Sequence, residues 1–254
     1  MIISLLACLC TIELITGKVS IALDKKGISD TDMVTIVGHK FGAPKGIACL
    51  YIRPGCLNEK GRTEPKTFGY GSSGILLRGG GQEKGRRAGT ENVAYIVGMG
   101  CAASILNTCT SKDKLVRWKK NASKMRMMRS RLLSKFKAAF ESIGGDIVRE
   151  NGPTDPNKRL PNTLSIGFKD VHSGELLQNI QSAVACSAGS ACHASGSKVS
   201  SVLVAMKVPD EYARGTLRLS VGPTTKIDEV DKAAEIIIKE IRRQLKTKID
   251  TSKS

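Results

Sequence analysis

Aromatic side chains are scarce: one Trp, four Tyr and five Phe make up 4% of the 254 residues. That scarcity argues against a stacking platform for single-stranded nucleic acid, which needs an aromatic face for each base. Acids are in deficit as well, 23 Asp and Glu against 40 Lys and Arg, for a formal net charge of +17. The eight cysteines, at 8, 10, 49, 56, 101, 109, 186 and 192, include no Cys-x-x-Cys pair. Zinc-finger spacing is therefore missing, and no metal is expected on the protein itself. The spread of these cysteines through apolar segments predicts reduced, mostly buried thiols and a reducing, cytoplasmic setting. Long apolar runs are also missing. Met1 to Ile15 carries Glu13 as its only charge, but it is too short for a membrane span and lacks the basic start of a signal peptide. It is not an Arg-rich transit peptide either. We read it as a buried strand or helix, or as a non-native chain start, and expect no membrane association.

What is present describes a soluble globular chain long enough for a substantial core, with 41% hydrophobic residues and a mean hydropathy of -0.12. The positive charge is densest from Lys112 to Lys137, where eleven Lys and Arg face one acid, Asp113. Leu115, Trp118, Ala122, Met125, Met128 and Leu132 recur there at three- and four-residue steps. The spacing predicts an amphipathic helix with a basic outer face, ending at Gly144-Gly145. Such a face is usually solvated; docking of RNA or an acidic partner is the alternative.

Strands are expected at Val34–Val37, Ile47–Ile52, Ile147–Val148, Thr163–Phe168, Ala183–Cys186 and Thr216–Val221. Helices are expected from Thr90, as N-cap, to about Leu106, from Ser173, as cap, to Gln181, and over Ser200–Met206. A last helix covers Lys226–Leu245, with Ile227, Val230, Ala233, Ala234, Ile237, Ile238 and Ile241 on one face, before a frayed polar tail at 246–254. Alternating strands and helices give an α/β protein.

One stretch organises the reading: Thr35-Ile36-Val37-Gly38-His39-Lys40-Phe41-Gly42-Ala43-Pro44-Lys45-Gly46. A β-branched run stops at a glycine, presents His-Lys, and enters a Gly/Pro loop where a ligand can reach it. Lys40 is either a surface lysine in a loop or an amine with a pKa lowered by burial, able to form a Schiff base. Further on come Gly79-Gly80-Gly81-Gln82-Glu83, Arg87-Ala88-Gly89-Thr90-Glu91-Asn92, Arg159-Leu160-Pro161-Asn162-Thr163, Cys186-Ser187-Ala188-Gly189-Ser190-Ala191-Cys192-His193 and Leu217-Arg218-Leu219-Ser220-Val221-Gly222-Pro223-Thr224-Thr225. In this order they resemble the pyridoxal-phosphate (PLP) cysteine desulfurase and selenocysteine lyase family, of the class-V aminotransferase type, from about Gly17 to Leu245.

The resemblance implies a fold type I, aspartate-aminotransferase-like architecture: the lysine-bearing part of the large domain over 1–105, then a connecting helix and the small C-terminal domain over 106–245. It implies PLP as cofactor, with Lys40 as the Schiff-base lysine and His39 and Thr90 at the cofactor phosphate, Thr90 reaching that of a partner subunit in a homodimer. Cys192 is implied as the nucleophile that takes sulfur or selenium from L-cysteine or L-selenocysteine and leaves L-alanine. Adjacent His193 can raise its thiolate fraction, and Arg218 grips the substrate carboxylate. A sulfur- or selenium-accepting protein is the implied partner. His193 and the Thr35–Lys40 run look closer to selenocysteine lyases than to housekeeping desulfurases.

The chain departs from the family at its start. Family members are longer, and nearly everything before the lysine strand has no counterpart here. Where the family has Asp-x-x-Gln, with Asp on the pyridinium nitrogen, this chain has Thr11 and Leu14. The expectation is a truncated form that is catalytically weak by itself. The other classes are a non-catalytic fragment that pairs with a full-length homologue or scaffold, and a basic nucleic-acid binder using the Lys112–Lys137 face.

Overall fold

The structure, a computed structural model, describes residues 3–4, 33–52, 77, 79–109, 116–141, 146–189 and 199–251. Cys192, His193, Thr11, Leu14, Leu115, the expected loop at 54–73 and the expected helix stop at Gly144-Gly145 lie outside the described residues. The chain divides into two compact units, Met1–Leu9 with Lys119–Ser254, and Cys10–Trp118. The break falls in the first turn of the basic helix, between Trp118 and Lys119. Strand β1 (Ile3–Ser4) belongs to the first of these units.

In the unit of Cys10–Trp118, the β-branched run Met33–Val37 forms β2 and Ala48–Ile52 forms β3. They pair antiparallel from Met33↔Ile52 to Val37↔Ala48. The expected strands are there; Thr35 is exposed and Ile36 and Val37 are half-buried, so the strand that leads to Lys40 is not a buried one. A short helix α1 (Gln82–Gly85) precedes α2 (Val93–Asn107). Thr90 is not the cap of α2. Asn92 is, because its Oδ1 and its carbonyl both accept from the Tyr95 amide, at 3.2 and 3.1 Å, and take up one of the helix's free donors. Helix α2 is apolar on all sides, and Ala102 is its one buried residue. Cys101 within it, and Cys49 and Cys109 elsewhere in this unit, are exposed, so the described thiols are not mostly buried.

The other unit is built on α3 (Arg117–Phe140), whose Lys119–Phe140 part belongs to it. Ala122, Met125, Met128, Leu132, Phe136 and Phe140 are buried along one stripe, as the spacing predicts. The helix's basic residues lie away from this stripe with one exception, the buried Arg129. Outer residues of α3 are held by acids: Arg131 reaches Asp231 at 2.6 Å, and Lys135 reaches the same carboxylate at 3.2 Å.

Four strands form the sheet: β4 (Val148–Glu150), β5 (Thr163–Phe168), then, after α4 (Ser173–Ile180) and the short β6 (Val184–Ala185), β7 (Ser187–Ala188) and, after α5 (Ser201–Ala205) and α6 (Asp210–Ala213), β8 (Leu217–Ser220). Their order is β4-β5-β8-β7, all pairs antiparallel, while β1 pairs in parallel with β6. Helix α4 is capped at His172, not Ser173, without a side-chain hydrogen bond. Ser200 caps α5 by accepting from the Val202 amide at 3.3 Å.

The final helix, α7 (Ile227–Thr251), runs through most of the stretch expected to be a polar tail. Val230, Ala233, Ala234, Ile237 and Ile241 are fully buried, whereas Ile227 in its first turn is exposed. Glu229 accepts from the Lys226 amide at 2.9 Å, half of a capping box. The stripes of α3 and α7 share one core with Leu164, Ile166, Phe168, Leu217 and Leu219. Phe136 meets Phe168 edge-on with ring centroids 5.3 Å apart, a contact worth about 0.5–1.5 kcal/mol beyond its buried area. No described helix is long and apolar enough to cross a membrane.

Candidate active site

Lys40 ends a one-turn 3-10 helix, Gly38–Lys40, at the exit of β2. The Gly38 amide donates to the Ile47 carbonyl at 2.9 Å, carrying the β2–β3 ladder one step further. The Gly38 carbonyl in turn accepts from Phe41 at 3.0 Å and Ala43 at 3.1 Å. These bonds hold the turn on its main chain. Gly42 and Gly46 have φ of +93° and +99°, angles that L-residues with a Cβ rarely adopt. Lys40 is half-buried and His39 is exposed.

The loop after Lys40 packs on α2. Pro44 sits against Gly98, where an added Cβ would come within 2.8 Å of its ring, and Tyr95 lies beside Gly46. Thr90 stands two residues before the cap of that helix, exposed, next to Gly89, whose carbonyl accepts from Arg87 at 2.9 Å. His39, Lys40 and Thr90 therefore belong to one packed body.

Arg218 belongs to the other unit, in the middle of β8. Thr216, Arg218 and Ser220 alternate with Leu217 and Leu219, and the leucines face the core. Three arginines of this unit are buried or half-buried: Arg129, Arg159 and Arg218. Arg129 and Arg159 both bind the carboxylate of Glu150, Arg129 also donates to the Thr163 carbonyl at 2.6 Å, and Arg159 to the Pro153 carbonyl. Burial lowers the pKa of both, and for Arg159 the neighbouring Arg129 charge adds to it. Among the described residues the Arg218 guanidinium has no hydrogen-bond or ion-pair partner. A half-buried fork of five donors without a protein acceptor can take an anion.

Cys186 packs against the core, and burial pushes its thiol up to about 12. It is a packing residue, as its apolar strand predicts, and at neutral pH it is not a thiolate. Sequence reasoning missed the Arg129–Glu150–Arg159 cluster because three distant segments meet there. It also missed the serines beside Arg218, whose signal was the polar–apolar alternation of β5 and β8. Among the described residues no three His, Cys, Asp or Glu side chains gather to hold a metal ion.

Residues 17–233 match the aminotransferase class-V family. The chain belongs to that family. A cysteine desulfurase of Sinorhizobium fredii is 35% identical over 223 residues, covering 87% of this chain and 49% of that protein. Cysteine desulfurase IscS of Clostridium botulinum is 31% identical over 214 residues, covering 84% and 47%. The solved structure of a NifS-like protein from Rickettsia africae superposes with a TM-score of 0.60 at 25% identity, over 82% of this chain and 47% of its own. The fold is that of the fold type I, PLP-dependent enzymes. This class-V aminotransferase chain spans about half the length of the curated relatives it matches. Class-V aminotransferases and cysteine desulfurases use PLP, and one donor fits it: a half-buried primary amine at the end of a hydrogen-bonded turn suits attachment. In the other unit, the Arg218 guanidinium suits a carboxylate.

Proposed function

We propose that this chain carries the attachment lysine, the carboxylate arginine and the chalcogen-accepting cysteine of a PLP-dependent enzyme that removes sulfur or selenium from L-cysteine or L-selenocysteine and releases L-alanine. The unpartnered, half-buried Arg218 carries the reading: it awaits a small anion on the strand paired with the one leading to the Cys192 loop. When bound, PLP supplies an aldehyde for the substrate amine and a ring that draws electrons from the α-carbon. Lys40 would hold the cofactor from the Gly38–Lys40 turn, and its amine, once displaced by substrate, would take the proton from the substrate α-carbon. His39 and Thr90 would hold the phosphate, Thr90 that of the partner subunit in a homodimer. Arg218 fixes the substrate carboxylate, so that its β-carbon points one way. The Cys192 thiolate attacks the substrate sulfur or selenium: the chalcogen–carbon bond breaks, a persulfide or selenenyl sulfide forms on Cys192, and the carbon skeleton leaves as L-alanine after protonation. His193 favours the thiolate. A thiol-bearing acceptor protein then takes the chalcogen, in a reducing, cytoplasmic compartment.

Thr11 and Leu14 provide no carboxylate for the ring nitrogen, so turnover by this chain alone is weak. The deciding experiment is the visible spectrum of the purified chain with added PLP. A band that is absent in Lys40→Ala and is lost on borohydride treatment supports the reading, and alanine release that Cys192→Ser abolishes completes it. A spectrum identical in wild type and Lys40→Ala overturns it.

A second reading, a non-catalytic role as partner of a full-length homologue or scaffold, draws on α2, which exposes Val93, Ile96, Val97 and Ile105. Capture of such a homologue by a chain that shows no PLP band would favour it.

A further inference from the structure

Residues paired across antiparallel strands share a face of the sheet, with Cβ atoms about 4.5–5.5 Å apart. Arg218 pairs with Ser165 of β5 on one side and with Ser187 of β7 on the other. All three are half-buried, while Leu164, Ile166, Leu217 and Leu219, which alternate with them, are fully buried on the opposite face. The neighbouring row is closed. Thr216 donates to the Tyr212 carbonyl at 2.9 Å, and a Cβ on Gly189 would lie 2.8 Å from Leu203. Ser165, Arg218 and Ser187 form the next row beyond that cover.

The hydroxyls on this face differ in the bonds they have left to make. Thr216 donates to Tyr212 and accepts from Asn151, so both its roles are taken. Ser165 accepts from Asn151 Nδ2 at 3.3 Å, which leaves its O–H to donate. The Ser187 side chain has no hydrogen bond among the described residues. Asn151 is 6% exposed, donates its backbone amide to the Ser165 carbonyl at 2.9 Å, and has an Oδ1 without a partner. It fixes Ser165 in place from the same face of the sheet.

We propose that Ser165 and Ser187 form, with Arg218, a three-strand cradle for the substrate α-carboxylate, and that Asn151 is the positioning residue for Ser165. The cradle rests on the reading of Arg218 given above. Two hydroxyl donors flanking a guanidinium fork satisfy the lone pairs of a carboxylate, which accepts at every position. A carboxamide presents an N–H₂ to one of those donors and leaves it unsatisfied, so the cradle selects for the free acid.

The test is an NMR shift titration of the full purified chain with L-alanine and, in parallel, L-alaninamide, reporting binding rather than turnover. Wild type is expected to prefer alanine by tenfold or more. Ser187→Ala should weaken alanine binding by about tenfold and leave alaninamide unchanged, since hydrogen bonds to charged groups are the strong ones. Ser187→Thr should restore it, and Asn151→Ala should give a smaller loss of the same kind. Arg218→Ala should erase the preference. If Arg218→Ala does so while Ser165→Ala and Ser187→Ala bind as wild type, the cradle is overturned and the arginine reading stands. A preference retained in Arg218→Ala, or absent from wild type, overturns both. Ser187→Thr keeps the comparison open if an alanine variant fails to fold.

Discussion

Gly38 and Ile47 touch twice. The Gly38 amide donates to the Ile47 carbonyl at 2.9 Å, and a Cβ on Gly38 would come 2.9 Å from Ile47 Cγ2 and 3.0 Å from its carbonyl oxygen. The turn that presents His39 and Lys40 is held closed by this approach, and only a residue without a side chain permits it. Gly38→Ala is therefore an overpacking substitution with backbone on the receiving side, expected to cost about 1–3 kcal/mol in urea unfolding. It should also displace Lys40 and reduce the Lys40-dependent PLP absorbance. A variant as stable as wild type, with an undiminished band, would show that the turn can shift without consequence.

Among the described residues, Glu150 is the carboxylate that Arg129 and Arg159 share. The three side chains are exposed by only 10 to 16%, so removing the acid leaves two guanidiniums facing each other in a poorly solvated site. Glu150→Gln is expected to destabilise by about 2–4 kcal/mol, somewhat below a fully buried broken pair. Arg129→Met in the same background should recover part of that loss, because it removes one stranded charge. Chemical denaturation of the three variants measures both effects. Equal stability of Glu150→Gln and wild type would mean that solvent already screens the cluster.

Local pattern carried most of the fold. The β-branched runs of β2 and β5, the alternation in β8 and the apolar stripes of α3 and α7 each set a period that the structure obeys. Features decided by long-range meetings were not legible. Arg129 belongs to a basic run and reads as solvated, and only the arrival of Glu150 and the Thr163 carbonyl makes its burial tolerable. Caps moved from the expected residues, from Thr90 two positions on to Asn92 and from Ser173 one position back to His172, where no side-chain bond forms, because backbone geometry chooses the helix start. Helix α7 outruns its apolar stripe, and in this last part Lys248 meets Asp170 at 2.6 Å, a pairing of distant residues. At the candidate site, Lys40 and Arg218 were readable from their motifs. The serines beside Arg218 needed the strand register.

Glu240 couples stability to acid. It is 9% exposed, and bonds first from Arg243, then from Asn179 and Gln244, outweigh its burial and hold its carboxyl at about 2. An unfolded glutamate titrates near about 4.3. Because the folded value is the lower one, the stabilising contribution is complete above the unfolded value and is lost as pH falls toward about 2. Asp231, held at about 2 chiefly by the Arg131 hydrogen bond, adds a smaller term of the same sign, weakened by its solvent exposure. The unfolding midpoint should therefore drop between pH 4.5 and 2, and Glu240→Gln should flatten part of that drop while lowering the plateau at neutral pH. Parallel pH profiles for wild type and variant would refute the assignment.

Cys186 and Cys192 lie on the same stretch of sequence, and thiol chemistry can tell them apart. Burial in the core pushes Cys186 up to about 12, so at pH 8 its thiolate is a very small fraction, against a sizeable one for an ordinary thiol near about 8.5. Alkylation follows the thiolate and access to it. Peptide mapping after brief iodoacetamide treatment at pH 8 should find Cys186 labelled at least about a hundredfold more slowly than the exposed Cys101 and Cys109. Cys192, if it is the nucleophile, should label faster than any of them. Urea should bring Cys186 level with the rest, because its protection comes from the folded core and not from its neighbours in sequence. Rapid labelling of Cys186 in the native protein would show that its thiol is accessible, and the assignment of the nucleophile to Cys192 would have to be tested against it.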